Sequence, residues 1–312
     1  MMPFFLVTGF LGSGKTTWLK RILNDHADTL KIGIIQNEFA PGRVDSIDLQ
    51  QTGKPFHVLE INKGSVFCVC LLGDFIASLQ AFVHDVQPDC VILEATGLAD
   101  PISIGEMLQA PRLENLYLSH IYTVVDASTF LKMQPKMTRI THQVRVADTV
   151  IINKIDLADD VRAIEQRVRE LNPYARVVET SFCRVSTAAI KKVGTETVVS
   201  QHANEWRQTN AGGRPNIRSV ALRIASPVHP HDLTIFLERT AKTLLRVKGY
   251  VVCSDGVTRA VQCSSGHVDV TEISNYNGIT ELIVMGENLE PRHLKNQLTG
   301  KYHDTAIDRD PS

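Results

Sequence analysis

The sequence has no hydrophobic run that approaches the length of a membrane-spanning helix, which needs about 20 apolar residues. It also has no excess of charge of either sign, since 33 lysines and arginines face 34 aspartates and glutamates, for a net charge of −1. A near-neutral chain offers no general electrostatic attraction to nucleic acid or to an anionic membrane surface. We therefore expect neither a membrane nor a nucleic acid among its partners.

Cysteine is scarce, with six residues in a chain of 312, at positions 68, 70, 90, 183, 253 and 263. So few cysteines do not suggest a disulfide framework. The sequence enters an apolar strand pattern at its start, which leaves no room for a signal peptide, and we expect a cytoplasmic location. In a reducing compartment the close pair Cys68 and Cys70 is better explained as metal ligands or free thiols. Cys90, inside an apolar run, is expected to be a small buried side chain.

Short apolar runs alternate with helical patterns through about residue 180. The expected strands are Phe4–Thr8, Lys31–Gln36, Val58–Ile61, Cys90–Leu93, Ile121–Val125, Thr149–Ile152 and Arg176–Glu179. The expected helices include Thr16–His26, Phe75–Val86, Thr138–Ala147 and Asp159–Leu171. This alternation predicts an α/β fold with a doubly wound, mostly parallel sheet that binds ligands at the carboxyl ends of its strands.

The pattern changes after about residue 185, where a polar stretch ending in Ala-Gly-Gly-Arg-Pro predicts a linker. The strand-like runs beyond it are Ile217–Ile224, Tyr250–Cys253, Thr258–Cys263, His267–Val270 and Glu281–Met285, and the helical ones are His231–Leu245 and Glu290–Leu298. These short strands predict a smaller α+β domain with an antiparallel sheet. The expected division is a first domain at 1–185, a linker at 186–214, a second domain at 215–300 and a polar tail at 301–312.

A glycine-rich segment, Gly9–Thr17, lies between the first predicted strand and the first predicted helix and matches G-x-x-x-x-G-K-[ST]. Its glycines let backbone N–H groups face a β-phosphate, the Lys15 ammonium reaches the β- and γ-phosphates, and the Thr16 hydroxyl ligates Mg²⁺. A purely structural turn is the alternative, but the order strand, loop, helix favours a nucleoside-triphosphate site. The nucleotide-binding residues predicted here are Gly9, Gly12, Ser13, Gly14, Lys15, Thr16 and Thr17.

The sequence Asn153-Lys154-Ile155-Asp156 follows an apolar strand and matches N-K-x-D. The Asp156 carboxylate can accept hydrogen bonds from the N1–H and exocyclic amine of guanine, a donor pair that adenine lacks. Lys154 would pack its stem on the nucleotide, and Asn153 would tie this loop to the phosphate loop. A surface turn could produce the same four residues by chance, yet the position after a buried strand favours GTP.

An apolar strand also precedes Glu94-Ala95-Thr96-Gly97. Glu94 would hold Mg²⁺ directly or through water, and the Gly97 N–H would contact the γ-phosphate. The alternative is an acid that caps a helix after a buried strand.

Together these sequences resemble the CobW-type metallochaperone GTPases, relatives of the HypB and UreG nickel-insertion GTPases. The resemblance is carried by Gly9–Thr17, Gln36–Phe39, Glu94–Pro101 and Thr123–Ala127, and more weakly by Pro227–Pro230 and Arg246–Gly249 in the second domain. It implies a P-loop NTPase fold and slow Mg²⁺-dependent GTP hydrolysis that uses Lys15, Thr16, Glu94 and Gly97. It also implies delivery of a transition metal such as Zn²⁺ or Co²⁺ to a client metalloprotein or cofactor-dependent enzyme, with turnover accelerated by a partner or in a homodimer.

The chain departs from the family's Cys-x-Cys-Cys metal motif. When the sequences are aligned on Gly73-Asp74, Cys68 matches one family cysteine, Cys70 falls outside the motif, and valines take the other two positions. Two thiolates can bind a soft ion but do not close a tetrahedral zinc site. Glu38 is the best third candidate, and water, substrate or a second subunit's thiol would be the fourth. Alternatively, both cysteines are ordinary small residues near a helix start, and the histidines that flank Pro230 are weaker candidates.

Three functions remain open on the sequence. The first is a GTP-driven switch that hands a metal ion, or a metal-dependent activation step, to a client protein. The second is a GTP-dependent regulatory or scaffold protein without metal handling, favoured by the altered cysteine motif. The third is a small-molecule kinase with the same phosphate loop, which the N-K-x-D sequence disfavours.

Overall fold

In the computed structural model the chain divides into two compact units, Met1–Ser219 and Val220–Ser312. The structure describes residues 1–37, 53–61, 69–95, 101–188, 190, 217–244, 246–264, 267–274, 276–287 and 289–301. Among the helices in these ranges, none is both long and apolar enough to cross a membrane.

The first unit is built on a seven-stranded sheet in which every neighbouring pair of strands is parallel. Its strands are β1 (Met2–Thr8), β2 (Ile32–Asn37), β3 (His57–Ile61), β4 (Cys90–Glu94), β5 (Leu116–Asp126), β6 (Thr149–Asn153) and β7 (Arg176–Thr180). Their order is β3-β2-β4-β1-β5-β6-β7, so β1 is central and the chain crosses from one half of the sheet to the other around it. Such a switch point is where doubly wound sheets bind their ligands.

Helices connect these parallel strands. They are α1 (Lys15–His26), α2 (Val69–Val86), α3 (Pro101–Met107), α4 (Phe130–Met133), α5 (Thr138–Arg145) and α6 (Val161–Leu171). Single 3₁₀ turns occur at Pro111–Leu113, Gln134–Lys136 and Ile155–Leu157.

Burial on both faces explains why the central strands are continuously apolar. Every residue of β4 and β6 is buried, as expected when helices cover both sides of a parallel sheet. Helix α1 instead buries one stripe, formed by Trp18, Leu19, Ile22 and Leu23, in the same core cluster as β1 residues such as Phe5. The helix that begins at Lys15 is therefore fixed firmly behind the strand that leads into the phosphate loop.

The second unit contains a five-stranded sheet and two helices. Its strands are β8 (Ile217–Ile224), β9 (Arg246–Val252), β10 (Thr258–Ser264), β11 (His267–Ile273) and β12 (Thr280–Glu287), in the order β11-β10-β9-β12-β8. The pairs β10–β11, β9–β10 and β9–β12 are antiparallel. Helices α7 (Pro230–Thr243) and α8 (Pro291–Leu298) place Phe236 and Leu298 in one apolar cluster with Val247 and Val251 of β9.

The predicted fold class is confirmed in both units, and most predicted elements begin or end within a few residues of the observed ones. Strand β5 begins at Leu116 rather than Ile121, and β9 begins at Arg246 rather than Tyr250. Helices α3 and α4 had no sequence prediction. Thr187 and Ile190, inside the predicted 186–214 linker, are buried, and Ile190 belongs to the core of the first unit. The first unit therefore continues beyond residue 185, while most of the linker and the tail beyond 301 lie outside the described residues.

Candidate nucleotide-binding site

Three glycines give the loop between β1 and α1 its shape. Gly9, Gly12 and Gly14 have φ angles of 139°, 75° and 111°, in the region that L-residues rarely adopt. Gly9 also lies against strand β5, since a Cβ atom there would stand 2.2 Å from the Val124 carbonyl oxygen. The loop is therefore a tight turn pressed against the sheet.

The Lys15 side chain lies within this loop. Its ammonium donates hydrogen bonds to the carbonyl oxygens of Gly9, at 3.0 Å, and Phe10, at 3.2 Å. The residue is buried although it carries a charge. These bonds hold a cation at the turn where the sequence predicts a phosphate.

Thr16 and Glu94 meet next to the phosphate loop, although one lies in the first turn of α1 and the other ends β4. The Thr16 hydroxyl donates to Glu94 Oε1 at 2.9 Å, and the Gln36 amide donates to Glu94 Oε2 at 3.3 Å. Glu94 is 8% exposed, so its charge lies in a largely water-free place. A hydroxyl and a carboxylate beside a phosphate loop are the oxygen ligands that Mg²⁺ prefers.

Asn153, at the end of β6, joins the N-K-x-D segment to the phosphate loop. Its side-chain amide donates to the Ser13 carbonyl at 2.8 Å, as the sequence predicts, and its oxygen accepts the Cys183 backbone N–H at 2.9 Å. The contact leaves no space for a side chain at Gly14, whose Cβ would lie 2.4 Å from the Asn153 nitrogen.

Lys154 adopts a left-handed conformation, with φ of 63°, and its ammonium lies 2.6 Å from Asp126 Oδ2 at the end of β5. Asp126 also accepts hydrogen bonds from the backbone and hydroxyl of Ser128. Burial raises the pKa of the Asp126 carboxyl, but the bonds from Lys154 and Ser128 outweigh it and leave that pKa below its ordinary value. The ion pair thus fixes the Lys154 stem across the carboxyl edge of the sheet.

Asp156 is exposed at the same edge, and its Oδ1 accepts a hydrogen bond from the Ser181 hydroxyl. Ser181 follows β7, which pairs with β6 so that Asn153 and Thr180 are neighbours. Sequence reasoning missed Ser181. Its position directly after a parallel strand, at the edge that carries the other site residues, is the signal that points to it.

The next two residues, Phe182 and Cys183, were also missed. Both are left-handed, with φ angles of 58° and 51°. The Phe182 ring is 67% exposed, with the Arg184 guanidinium 5.7 Å from its centre, whereas Cys183 is fully buried. The Cys183 thiol donates to the Gly14 carbonyl oxygen at 3.3 Å.

Several predicted site residues lie outside the described residues. They are Gly97, Glu38 and Cys68, and for Cys70 the structure describes only the backbone, in the first turn of α2. Within the described part of the chain, no group of three or more histidine, cysteine, aspartate or glutamate side chains is arranged to hold a metal ion. The His229 side chain instead caps α7, where Nδ1 accepts the His231 backbone N–H at 3.2 Å.

Two family comparisons match most of the chain. Residues 3–179 match the family described as CobW/HypB/UreG, nucleotide-binding domain. Residues 217–300 match the cobalamin synthesis protein cobW C-terminal domain. The two matches fall on the two structural units.

Individual relatives are distant. Zinc-regulated GTPase metalloprotein activator 1 of Dictyostelium discoideum is 26% identical over 298 residues, which cover 80% of this chain but only 62% of that protein. Zinc chaperone YjiA of Escherichia coli is 28% identical over 262 residues, which cover 78% of this chain and 80% of that protein. Among solved structures, a zinc-bound triple mutant of YjiA GTPase aligns with a TM-score of 0.50 and 21% identity, over 96% of this chain and 98% of that one. At this identity the likeness shows a shared fold.

Proposed function

Because the chain belongs to the CobW/HypB/UreG family, we propose that it hydrolyses GTP and uses the hydrolysis cycle to deliver a metal ion, zinc in the first instance, to a client metalloprotein. The observation that carries the proposal is the meeting of three loops at the carboxyl edge of the first sheet. The Thr16 hydroxyl contacts Glu94 beside the phosphate loop, and the Asn153 amide holds the guanine-recognition loop against it. The names of the relatives, a zinc chaperone and a zinc-regulated GTPase activator, support zinc as the metal.

The choice of GTP rests on Asp156. An ionised carboxylate only accepts hydrogen bonds, which suits the N1–H and amino group of guanine and not the single amino group of adenine. Ser181 holds one carboxylate oxygen, so the orientation of the group is set before a base arrives. A carboxylate that pairs with two donors of guanine discriminates against a base that offers only one of them.

The residues beside the phosphate loop fit the binding of Mg²⁺ together with the nucleotide. Thr16 and Glu94 would supply the oxygen ligands, and the ion would neutralise part of the phosphate charge. Lys15 would exchange the neutral carbonyls of Gly9 and Phe10 for phosphate oxygens, which are stronger acceptors for an ammonium group. These residues bind and orient the triphosphate.

Hydrolysis itself is expected to be slow. Water must attack the γ-phosphorus as the bond to the β–γ bridging oxygen breaks, and its proton must leave to an acceptor. We propose Glu94 as a ligand of Mg²⁺ and not as the acceptor of that proton, because a carboxylate beside a bound cation is a weaker base. We therefore propose that a partner, either the client or a second copy of the chain, accelerates turnover.

Guanine recognition is tested by nucleotide exchange at position 156. GTP should compete with a fluorescent GDP analogue far better than ATP does. Asp156→Asn should weaken GTP binding by at least tenfold and improve binding of xanthosine triphosphate, whose C2 carbonyl accepts from the new amide. Asp159→Asn removes a nearby exposed charge and is the matched control. Equal competition by GTP and ATP would contradict the proposal and favour the kinase alternative.

Metal handling is tested by zinc affinity, measured against a chromophoric chelator in the presence of GDP or a non-hydrolysable GTP analogue. We propose Cys68, Cys70 and Glu38 as ligands, so Cys68→Ser and Cys70→Ser should each weaken zinc binding by about tenfold or more. Cys263→Ala, which changes a buried thiol in the second unit, is the control. Equal zinc affinity in both nucleotide states would refute the coupling. Unchanged affinity in both serine variants would favour a regulatory GTPase without metal handling.

A further inference from the structure

The loop after β7 holds the phosphate loop through a cysteine that the activity proposed above does not use. The Cys183 thiol donates to the Gly14 carbonyl oxygen, and the Cys183 backbone N–H donates to Asn153, whose amide in turn holds the Ser13 carbonyl. Two consecutive carbonyls of the phosphate loop are therefore fixed from the side of the base-recognition loops.

Fixing these carbonyls also fixes the amides that follow them. In a trans peptide the C=O of one residue and the N–H of the next point in opposite directions. The bond to the Ser13 oxygen thus orients the Gly14 N–H, and the bond to the Gly14 oxygen orients the Lys15 N–H. These are the amides at the start of α1, where a helix presents N–H groups to an anion.

The Gly14 carbonyl also accepts a hydrogen bond from the backbone of α1. It accepts the Trp18 backbone N–H at 3.0 Å, which is the first hydrogen bond of α1. The thiol and the helix therefore hold the same oxygen. A loss of the thiol leaves the Gly14 peptide held by the helix alone.

The Cys183 thiol remains a hydrogen-bond donor at neutral pH. Burial raises the pKa of the thiol to about 12, an effect that the charge of Lys154 only partly offsets, so the thiol keeps its proton at neutral pH. A Cβ at Gly14 would come within 3.0 Å of Sγ, so the sulfur rests directly against the glycine. The Cys183 side chain is fully buried, so its thiol is shielded from water.

The backbone at this point is strained in a way that serves the contact. Phe182 and Cys183 are consecutive non-glycine residues with positive φ, a conformation that costs about 1 kcal/mol or more for each residue. This turn allows Ser181 to reach Asp156 while Cys183 reaches Gly14. Strain that surrounding contacts maintain at a binding site is an indication of function.

We propose that Cys183 is a positioning residue for phosphate binding, whose thiol holds the Gly14 peptide so that the Lys15 N–H faces the β-phosphate of the guanine nucleotide. This inference rests on the nucleotide site proposed above. It makes the loop after β7 serve both ends of the nucleotide, since Ser181 acts on the base-recognition carboxylate and Cys183 on the phosphate loop.

The test compares Cys183→Ala with Cys183→Ser and with Cys90→Ala. Cys90 is a buried thiol of the same apolar cluster, so its replacement reproduces the loss of core packing without touching the phosphate loop. Calorimetric titration with GDP should show about three- to fivefold weaker binding for Cys183→Ala, the effect of one neutral hydrogen bond. Cys183→Ser, which keeps a donor, should recover most of the loss, and Cys90→Ala should bind GDP as the wild type does.

Two further readouts separate positioning from a general loss of structure. GMP has no β-phosphate, so its inhibition constant against GTP hydrolysis should be the same for Cys183→Ala and for the wild type. In steady-state hydrolysis the KM for GTP should rise by the factor seen with GDP, with kcat unchanged, because KM reports binding when chemistry is slow. The role of Cys183 would be overturned if Cys183→Ala bound GMP and GDP more weakly by the same factor. It would also be overturned if the wild type bound GDP and Cys183→Ala bound it with the same affinity. If the wild-type protein binds neither GDP nor GTP, the proposed nucleotide site itself is refuted, and with it the role of Cys183.

Discussion

Replacing the loop glycines with alanine should have very different effects on stability, although all three have positive φ. At Gly9 an added Cβ would lie 2.2 Å from the Val124 carbonyl oxygen, which is backbone in the centre of the sheet and cannot turn aside. At Gly12 an added Cβ meets nothing within 4 Å. The comparison therefore separates close packing of the loop from the need for glycine conformation alone.

The magnitudes follow from these two distances. For Gly12→Ala, about 1–2 kcal/mol of left-handed strain is offset by about 0.4–1 kcal/mol from the stiffer unfolded chain, so the free energy of unfolding should fall by about 1 kcal/mol or less. Gly9→Ala adds an overpacking cost of about 1–3 kcal/mol to a backbone strain of similar size, so a loss of about 3–5 kcal/mol is expected. Gly14→Ala should lie between them, because Asn153 and Cys183 can rotate away but then release the phosphate loop.

Urea unfolding without nucleotide measures all three variants, with the slope m confirming that only stability has changed. The reasoning is refuted if Gly9→Ala and Gly12→Ala lower the free energy of unfolding by amounts within about 0.5 kcal/mol of each other, the usual range of surface substitutions. That outcome would mean that the loop can move off β5. Gly14→Ala is expected to weaken GDP binding in addition to its intermediate loss of stability, because its Cβ displaces Asn153 and Cys183 from the phosphate loop.

Three other outcomes follow from single contacts. Gln87 directly follows α2 with φ of 47°, and its N–H donates to the Val83 carbonyl. Gln87→Gly relieves the left-handed strain, so it should raise the free energy of unfolding by about 0.5–1 kcal/mol in the same urea assay. Because the pKa of Asp126 is lower folded than unfolded, its pair with Lys154 stabilises the protein above about pH 4 and loses that effect as the pH falls through the folded pKa. Asp126→Asn should therefore lower the urea midpoint at pH 7 and reduce its pH dependence below about pH 4; an unaltered acid profile would contradict this. Burial raises the pKa of both Cys90 and Cys183 to about 12, so neither thiol should react with iodoacetamide at about pH 8 until urea unfolds the chain. Mass spectrometry of the peptides that contain the two cysteines detects the label.

Those parts of the candidate site that lie within a single loop could be predicted from local sequence. The phosphate loop and the N-K-x-D segment each consist of neighbouring residues after a buried strand, so their residue types and spacing indicate the chemistry directly. The alternation of apolar strands and helices likewise predicted the first sheet, and the run of short strands after the linker predicted the second. Each of these signals lies within a few residues of its structural effect.

Apart from the contact of Asn153 with the phosphate loop, the contacts between loops could not be predicted in this way. The pairing of Lys154 with Asp126 depends on β6 lying beside β5, in the register that places Asp126 next to Asn153. The bond from Ser181 to Asp156 depends in the same way on β7 lying beside β6. Strand order and register are set by the packing of the whole sheet. The spacing of apolar residues along the sequence does not determine them.

The bond between Cys183 and Gly14 also has a consequence for synthesis, since its two residues are 169 positions apart. The glycine-rich loop is synthesised well before Cys183, and β1, the strand that leads into the loop, also precedes both of its sheet neighbours, β4 and β5. The Cys183 contact can form only after the chain has passed residue 183, a delay of about 8 to 34 seconds for the 169 residues at common elongation rates of about 5–20 residues per second. The glycine-rich loop can therefore gain the contact with Cys183 only late in the translation of the first unit.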